Sequence, residues 1–441
     1  PTATMFHVKK SLYDVEMENA VSKDDQEGLS VAPSEAWTDP NFKPQRHSLT
    51  HLRNKEVPSG VARVKRWERV TELVTSPKLF VDGTLAGDVK QGSVGDCYFI
   101  GALSVVASSD TILNQIFGDM HIGENKFTFK FFKDGEWRLV TIDNYLPVDN
   151  WNGLVFARCK DTEEMWVPLI EKAYAKVHGS YQSLGLGFTM DSLVDLTGGV
   201  SYHKDITPAS ANSEDLWSIL KCCNGNEYLL GVMMANRGNS SNETEVKNSG
   251  LLSGHAYGVL QTTELNGHKL IQLRNPWGKK EWVGDWSDKS SLWDRISPET
   301  KEELNFIVAD DGNFWMNYKD FCTYWGHLDV CRIFYPSDYH KQQMAGAWSR
   351  ALKTAGGSAA QPKENASYKL TVSGNKKTYV MISVIQADPR IEANNKDKQL
   401  CIGIRIYKYV NSRTRYLNQT KFWEYHREAT LELDLDPGEY I

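Results

Sequence analysis

Hydrophobic and polar positions change their period several times along the chain, and each change predicts an element. Between Thr162 and Val177, the apolar residues Met165, Trp166, Leu169, Ile170, Ala173, Tyr174 and Val177 recur at spacings of three and four, which predicts an amphipathic helix stopped by Gly179. Lys126–Phe132 and Trp137–Ile142 read as strands joined at Asp134-Gly135. The run after Cys97 is apolar up to Ser108, without a polar face, and predicts a buried helix whose first turn holds the cysteine. From about Tyr228 to Phe334 the pattern is mostly strand. There Ser253–Leu260 opens one strand, Ile271–Gly278 forms another closed by Pro276, and the link Glu264-Leu265-Asn266-Gly267 carries an Asn-Gly turn signal. An antiparallel hairpin follows from that pairing.

The ends differ from this middle. Residues 1 to 58 are polar, carry Pro33, Pro40, Pro44 and Pro58, and hold no sustained period, so a loosely ordered leader with a short helix near Ser11–Glu18 is expected. Beyond Tyr335-Pro336, the small-residue stretch Ala355–Ala360 precedes short strands expected at Tyr368–Val372, Tyr379–Ile385, Cys401–Val410, Lys421–Tyr425 and Thr430–Leu435. Ile402, Ile404 and Ile406 alternate with Gly403 and Arg405, a period of two that suggests an antiparallel sandwich.

Composition narrows the class. A chain of 441 residues with 41% hydrophobic and 24% charged residues has room for about three domains with real cores. Its net charge of −6 offers no basic face to nucleic acid or an anionic membrane. Seven cysteines, an odd number that includes the adjacent pair Cys222-Cys223, fit neither a disulfide framework nor a zinc motif and imply thiols in a reducing compartment. No run resembles a signal peptide or reaches the roughly 18 apolar residues of a membrane span. A cytoplasmic protein is the expectation.

Candidate chemistry gathers at three of these stretches. A thiol at a helix N-terminus meets unpaired N–H groups and the positive end of the helix dipole, which favours the thiolate, so Cys97 is a candidate nucleophile. Gln91, six residues upstream, can offer a side-chain N–H to an oxyanion beside the Cys97 backbone N–H. The predicted hairpin brings His255 near Asn275, a base with its orienting amide. Taken singly, each has a plain structural reading: a packed core thiol, a structural histidine, a turn asparagine before Pro276. Together they form the Cys-His-Asn arrangement of papain-like proteases. The Cys-to-His and Cys-to-Asn separations of 158 and 178 residues imply an insertion relative to the roughly 130–150 of papain.

At this point the chain resembles the calpains. Gln91–Leu103, Trp166–Gly179, Asp195–Gly199, Gly254–Val259, Arg274–Gly278 and Asp311–Trp315 match the family's core motifs in order, over roughly residues 60 to 336. The resemblance implies an α+β fold: a papain-like two-lobed core, helical over 59–190 and β-rich over 191–336, followed at 340–441 by an incomplete C2-like antiparallel β-sandwich. It implies an intracellular calcium-dependent cysteine endopeptidase acting on protein substrates, with Cys97, His255, Asn275 and Gln91 catalytic. Gly187, Gly254 and Trp277 are placed against substrate, Trp277 also shielding the His-Asn contact. Two core calcium ions are implied, one at Val81, Gly83, Asp88 and Glu164, the other at Glu281, Asp288, Ala309, Asp311 and Asn313. Asn313 stands where the family usually has glutamate, so the second site should be weaker. Tyr98 replaces the usual tryptophan after the cysteine. No EF-hand loop is found, so no EF-hand small subunit is expected, and contact with membranes through the sandwich has no support in the sequence. The absence of an EF-hand loop suggests a non-classical or truncated member, the start at Pro1 suggests a piece of a longer protein, and the stop at Ile441 is expected to fall within the sandwich. The competing reading is a catalytically silent scaffold that keeps the core as a binding module.

Overall fold

The computed structural model describes residues 37–50, 57–81, 86–234, 248–335, 339–349, 351–355, 365–391, 400–420 and 426–441. The leader helix expected near Ser11–Glu18, the strand expected at Lys421–Tyr425 and Gly83 lie outside them. Contacts divide the chain into two compact units, a core unit of Met17–Ile333 with Asp388–Asp397 and a C-terminal unit that includes Phe334–Ala387 and Lys398–Ile441.

In the core unit, β1 (Arg66–Arg69) pairs with β5 (Tyr145–Val148), and β2 (Phe117–His121), β3 (Lys126–Lys133) and β4 (Glu136–Ile142) form an antiparallel meander. The β3–β4 turn is Asp134-Gly135, both at positive φ, the conformation a tight two-residue hairpin demands. The predicted amphipathic helix spans Trp166–Val177. It starts four residues late because Glu164 is held in extended pairing with Lys78. The apolar run after Cys97 forms the Cys97–Val106 helix, buried from Tyr98 to Val106, as a helix without a polar face must be.

Six strands make the large sheet: β6 (Val200–Asp205), β7 (Tyr228–Met234), β8 (Ala256–Leu265), β9 (His268–Arg274), β10 (Asn313–Asn317) and β11 (Trp325–Arg332), in the order β10-β9-β8-β7-β11-β6. Leu265 opposes His268 across Asn266-Gly267, so the expected hairpin forms at the expected turn. One face buries Leu230, Val232, Tyr257, Val259, Leu273, Phe314, Trp325, Leu328 and Val330. The Cys97–Val106 helix lies against this sheet where side chains are missing. A Cβ on Gly258 of β8 would sit 2.7 Å from Val105 Cγ2 and 3.2 Å from the Gly101 carbonyl. Glycine there lets the helix approach the strand that follows His255. Among the described residues no helix is long and apolar enough to cross a membrane.

In the C-terminal unit, β12 (Leu370–Val372), β17 (Gly438–Tyr440), β14 (Arg405–Val410) and β15 (Arg413–Gln419) form one antiparallel sheet, and β13 (Thr378–Ile385) pairs with β16 (Glu428–Leu435). Val372, Ile406, Leu431, Leu435 and Tyr440 build its core. The expected Cys401–Val410 strand begins only at Arg405, and β15 is a strand that the hydrophobic pattern does not announce.

Candidate active site

Three chain segments converge at the N-terminal end of the Cys97–Val106 helix. Its approach loop is fixed by glycine, since a Cβ on Gly92 would fall 2.1 Å from the Phe156 backbone. The Gln91 N–H donates to the Pro276 carbonyl at 2.8 Å, which stitches this loop to the turn after β9. On that turn Asn275 is fully buried, and its amide orientation is settled by two donated bonds, from Nδ2 to the carbonyls of Lys279 (2.8 Å) and Lys280 (2.9 Å). Asn275 Oδ1 therefore faces His255 Nε2, 2.9 Å away. Because an amide oxygen can only accept, His255 donates from Nε2 and carries its lone pair on Nδ1. The Trp277 ring lies 5.0 Å from the imidazole between centroids, tilted by 57°, and is itself 36% exposed.

The Cys97 thiol is half-buried, and the backbone N–H of Ala256, the residue after His255, favours its charged form. Among the described residues no hydrogen bond joins Sγ to the imidazole. The expectation that the helix end would favour a thiolate is corrected here. Burial, the largest effect, pushes the thiol above its ordinary range, and the Asp96 charge adds to it against the helping N–H groups. Burial likewise pushes His255 down to about 4. The resting pair is thiol and neutral imidazole. Behind the cysteine, burial raises Asp96 to about 7 and Glu171 well above the usual range, so these two carboxyls hold a proton between them at neutral pH. Gln91 Nε2 donates one N–H to the Val94 carbonyl at 2.8 Å and has a second N–H to offer.

Similarity to known proteins agrees with this geometry. Residues 37–332 match the calpain family cysteine protease pattern, and residues 344–441 match domain III of the calpain large subunit. The chain belongs to the calpain family. It is 33% identical over 93% of its length to Calpain-type cysteine protease DEK1 of Arabidopsis thaliana, covering 20% of that protein. With Calpain-5 of Mus musculus it shares 31% identity over 85% of its length, covering 66% of the relative. Calpain-8 of Homo sapiens is 33% identical over 85% of the chain, which covers 58% of it. The chain thus spans only part of the length of these calpain relatives.

The two glycines expected against substrate are glycine for different reasons, one for space and one for its positive φ. A Cβ on Gly187 would meet the Tyr98 ring at 2.6 Å, whereas Gly254, at φ +64°, has open room beside it. Beside Gly187, Leu186 adopts φ 69° and is 85% exposed, its N–H donating to Gly95 near the nucleophile. A bulky side chain held in that strained state at the mouth of a site is a feature the sequence pattern gave no reason to select. Arg390 is another residue missed by the sequence reading. From over 290 positions away its Nη1 donates to the Tyr98 hydroxyl at 2.9 Å.

The residues expected around the two cation positions can be tested by their chemistry. Glu164 is buried, accepts from Val81 N–H on Oε1, and leaves Oε2 without a partner among the described residues. Burial, then the nearby Asp88 charge, raise it to about 7. An orphaned buried carboxylate oxygen beside a second carboxylate suits a hard cation. At the other position Glu281 accepts from the N–H groups of Asp311 (2.9 Å) and Gly312 (2.7 Å), and Asp288 accepts from Ala309 N–H (3.1 Å). Burial first, and then neighbouring carboxylates, raise Glu281 to about 7 and Asp288 to about 6. This set also suits a cation, but Asn313 Oδ1 already accepts from Arg274 Nη1 at 2.9 Å. Arg274 reaches on to the carbonyls of Gly87 (3.0 Å) and Val89 (2.9 Å), next to Asp88, and so touches both neighbourhoods.

Proposed function

We propose that this chain is the working part of a calcium-dependent cysteine endopeptidase making limited cuts in protein substrates, with a papain-like core and a C2-like sandwich. The observation that carries the reading is the His255–Asn275 hydrogen bond, which fixes the imidazole with its lone pair on Nδ1, free to act as a base. In the reaction Nδ1 takes the Cys97 proton as Sγ bonds to the scissile carbonyl carbon. The oxyanion receives the Cys97 backbone N–H and the spare Gln91 N–H, donors of a kind worth about 3–4 kcal/mol of barrier. Collapse breaks the C–N bond, and the imidazolium returns its proton to the departing amine. Water, deprotonated by Nδ1, then cleaves the thioester and frees the sulfur. Asn275 holds the ring throughout and transfers no proton.

Val81, Gly83, Asp88 and Glu164 would hold one calcium ion and Glu281, Asp288, Ala309, Asp311 and Asn313 a second, each ion supplying positive charge to mutually repelling carboxylates. Seven free thiols are in keeping with a reducing compartment. Casein hydrolysis tests the reading: it should appear with calcium, vanish with chelator and be absent in Cys97→Ala. Hydrolysis that persisted in that variant would end the assignment.

A further inference from the structure

A second group of metal-ligating side chains lies away from the catalytic cleft residues, on the edge of the six-stranded sheet. In the antiparallel pair of edge strand β6 with β11, Asp329 stands opposite His203 and His327 opposite Asp205. Opposed residues share a face, and so do residues two apart on a strand, so all four side chains form one square. The two imidazole rings lie 4.4 Å apart. One ligand atom each from His203, His327 and Asp329 falls within 4.8 Å of the others.

Hydrogen bonding within the square does not account for all of its polar atoms. Asp329 is 1% exposed, and its Oδ2 has no hydrogen-bond partner among the described residues. His327 Nε2 is buried in the same condition. A carboxylate oxygen and a ring nitrogen buried beside each other without donors are costly unless something satisfies both. Among the described residues the other such cluster, His178, Asp195 and Asp388, differs in one decisive respect: Lys133 Nζ already sits in it, 2.7 and 2.8 Å from the two carboxylates.

The geometry points to a binding site for one divalent transition metal ion, of the zinc class, held by His203, His327 and Asp329 on the β6–β11 edge. Two imidazoles with one carboxylate are the donor set that zinc-class ions take, leaving a fourth position for water. Calcium and magnesium prefer oxygen alone. His203 Nδ1 and Asp329 Oδ1 are 3.3 Å apart. That matches the edge of a tetrahedron with bonds of about 2.0–2.1 Å. His203 Nε2 then faces Asp205 Oδ1 at 3.7 Å, the outer carboxylate that commonly orients a metal-bound histidine. The ion would clamp the sheet's edge strand to its neighbour.

The test uses the whole chain carrying Cys97→Ala, so that the catalytic thiol cannot take metal, freed of metal by chelator and titrated with Co²⁺ and then with Zn²⁺ in competition. One Co²⁺ should bind per chain with the intense visible absorption of a four- or five-coordinate site, and Zn²⁺ should displace it. His203→Asn and His327→Asn should each weaken binding at least tenfold, and Asp205→Asn by less. An unchanged titration in the double variant His203→Asn/His327→Asn would overturn the site. So would failure of Zn²⁺ to shift two histidine ring ¹⁵N resonances in the chain with both histidines intact, a measurement that does not depend on the variants folding.

Discussion

At the scale of single residues, the proposed catalytic groups are positioned but uncharged, burial raising the Cys97 thiol and lowering His255. Asn275→Ala removes the acceptor that fixes the His255 tautomer, and the ring can then turn its lone pair away from the sulfur. Steady-state kinetics should show kcat falling on the order of 10²-fold, inside the range of general-base catalysis, with KM little changed. An unchanged kcat per folded molecule, with only stability lost, would mean that the asparagine merely supports the fold. The raised thiol gives a second expectation. Below its pKa the thiolate fraction grows about tenfold per pH unit, so alkylation of Cys97 by iodoacetamide in chelator should be slow at pH 7. It should climb steadily through pH 9 without a plateau, because burial holds the titration above the ordinary thiol range. A plateau already at pH 7 would show that the ion pair pre-exists. In the same assays Glu164→Gln should raise the calcium needed for half-maximal hydrolysis at least several-fold, since it deletes the charge of a buried ligand; an unchanged requirement removes that residue from the proposed site.

Among elements, the close seating of the Cys97–Val106 helix on β8 is what brings thiol and imidazole to one end of the core. Gly258→Ala puts a methyl 2.7 Å from Val105 Cγ2. Overpacking of this kind costs about 1–3 kcal/mol, and urea unfolding should show that loss together with reduced hydrolysis, which Val105→Ala in the same chain should partly restore. Loss of stability without such rescue would place the strain elsewhere. Much at this scale was legible beforehand. The β8–β9 hairpin followed from Asn266-Gly267 and the buried helix from an unbroken apolar run, because both signals are local. Other features were not, for physical reasons that particular residues make plain. Edge strand β15, Arg413–Gln419, is exposed throughout, so no face of it alternates with a core. The helix after Asp161 starts late because a tertiary contact, Lys78 with Glu164, outweighs local pattern. Desolvation of Cys97 depends on residues packed around it, which spacing along the chain does not report.

For the whole molecule, the telling feature is that Asp388–Asp397 clusters with the core unit although its neighbours in sequence, β13 and β14, belong to the C-terminal unit. Lys133 is fully buried and bonded to Asp195 (2.7 Å) and Asp388 (2.8 Å). Burial would raise Asp388, but His178, Arg390 and Lys133 hold it well below the usual carboxylate range. His178, pushed down to about 4 chiefly by burial, stays neutral among them. A chain ending at Ile333 loses Asp388 and Arg390 together. The net charge of the cluster is then unaltered, since one negative and one positive charge leave together, but the Tyr98 hydroxyl next to Cys97 loses Arg390 as its donor. An unpaired buried hydroxyl costs about 1–3 kcal/mol. Tyr98→Phe should therefore destabilise the full chain yet stabilise the shortened one, a reversal of sign that chemical denaturation can read directly. The same sign in both would show that Arg390 contributes nothing to the tyrosine, and that the late segment acts on the core only by filling space.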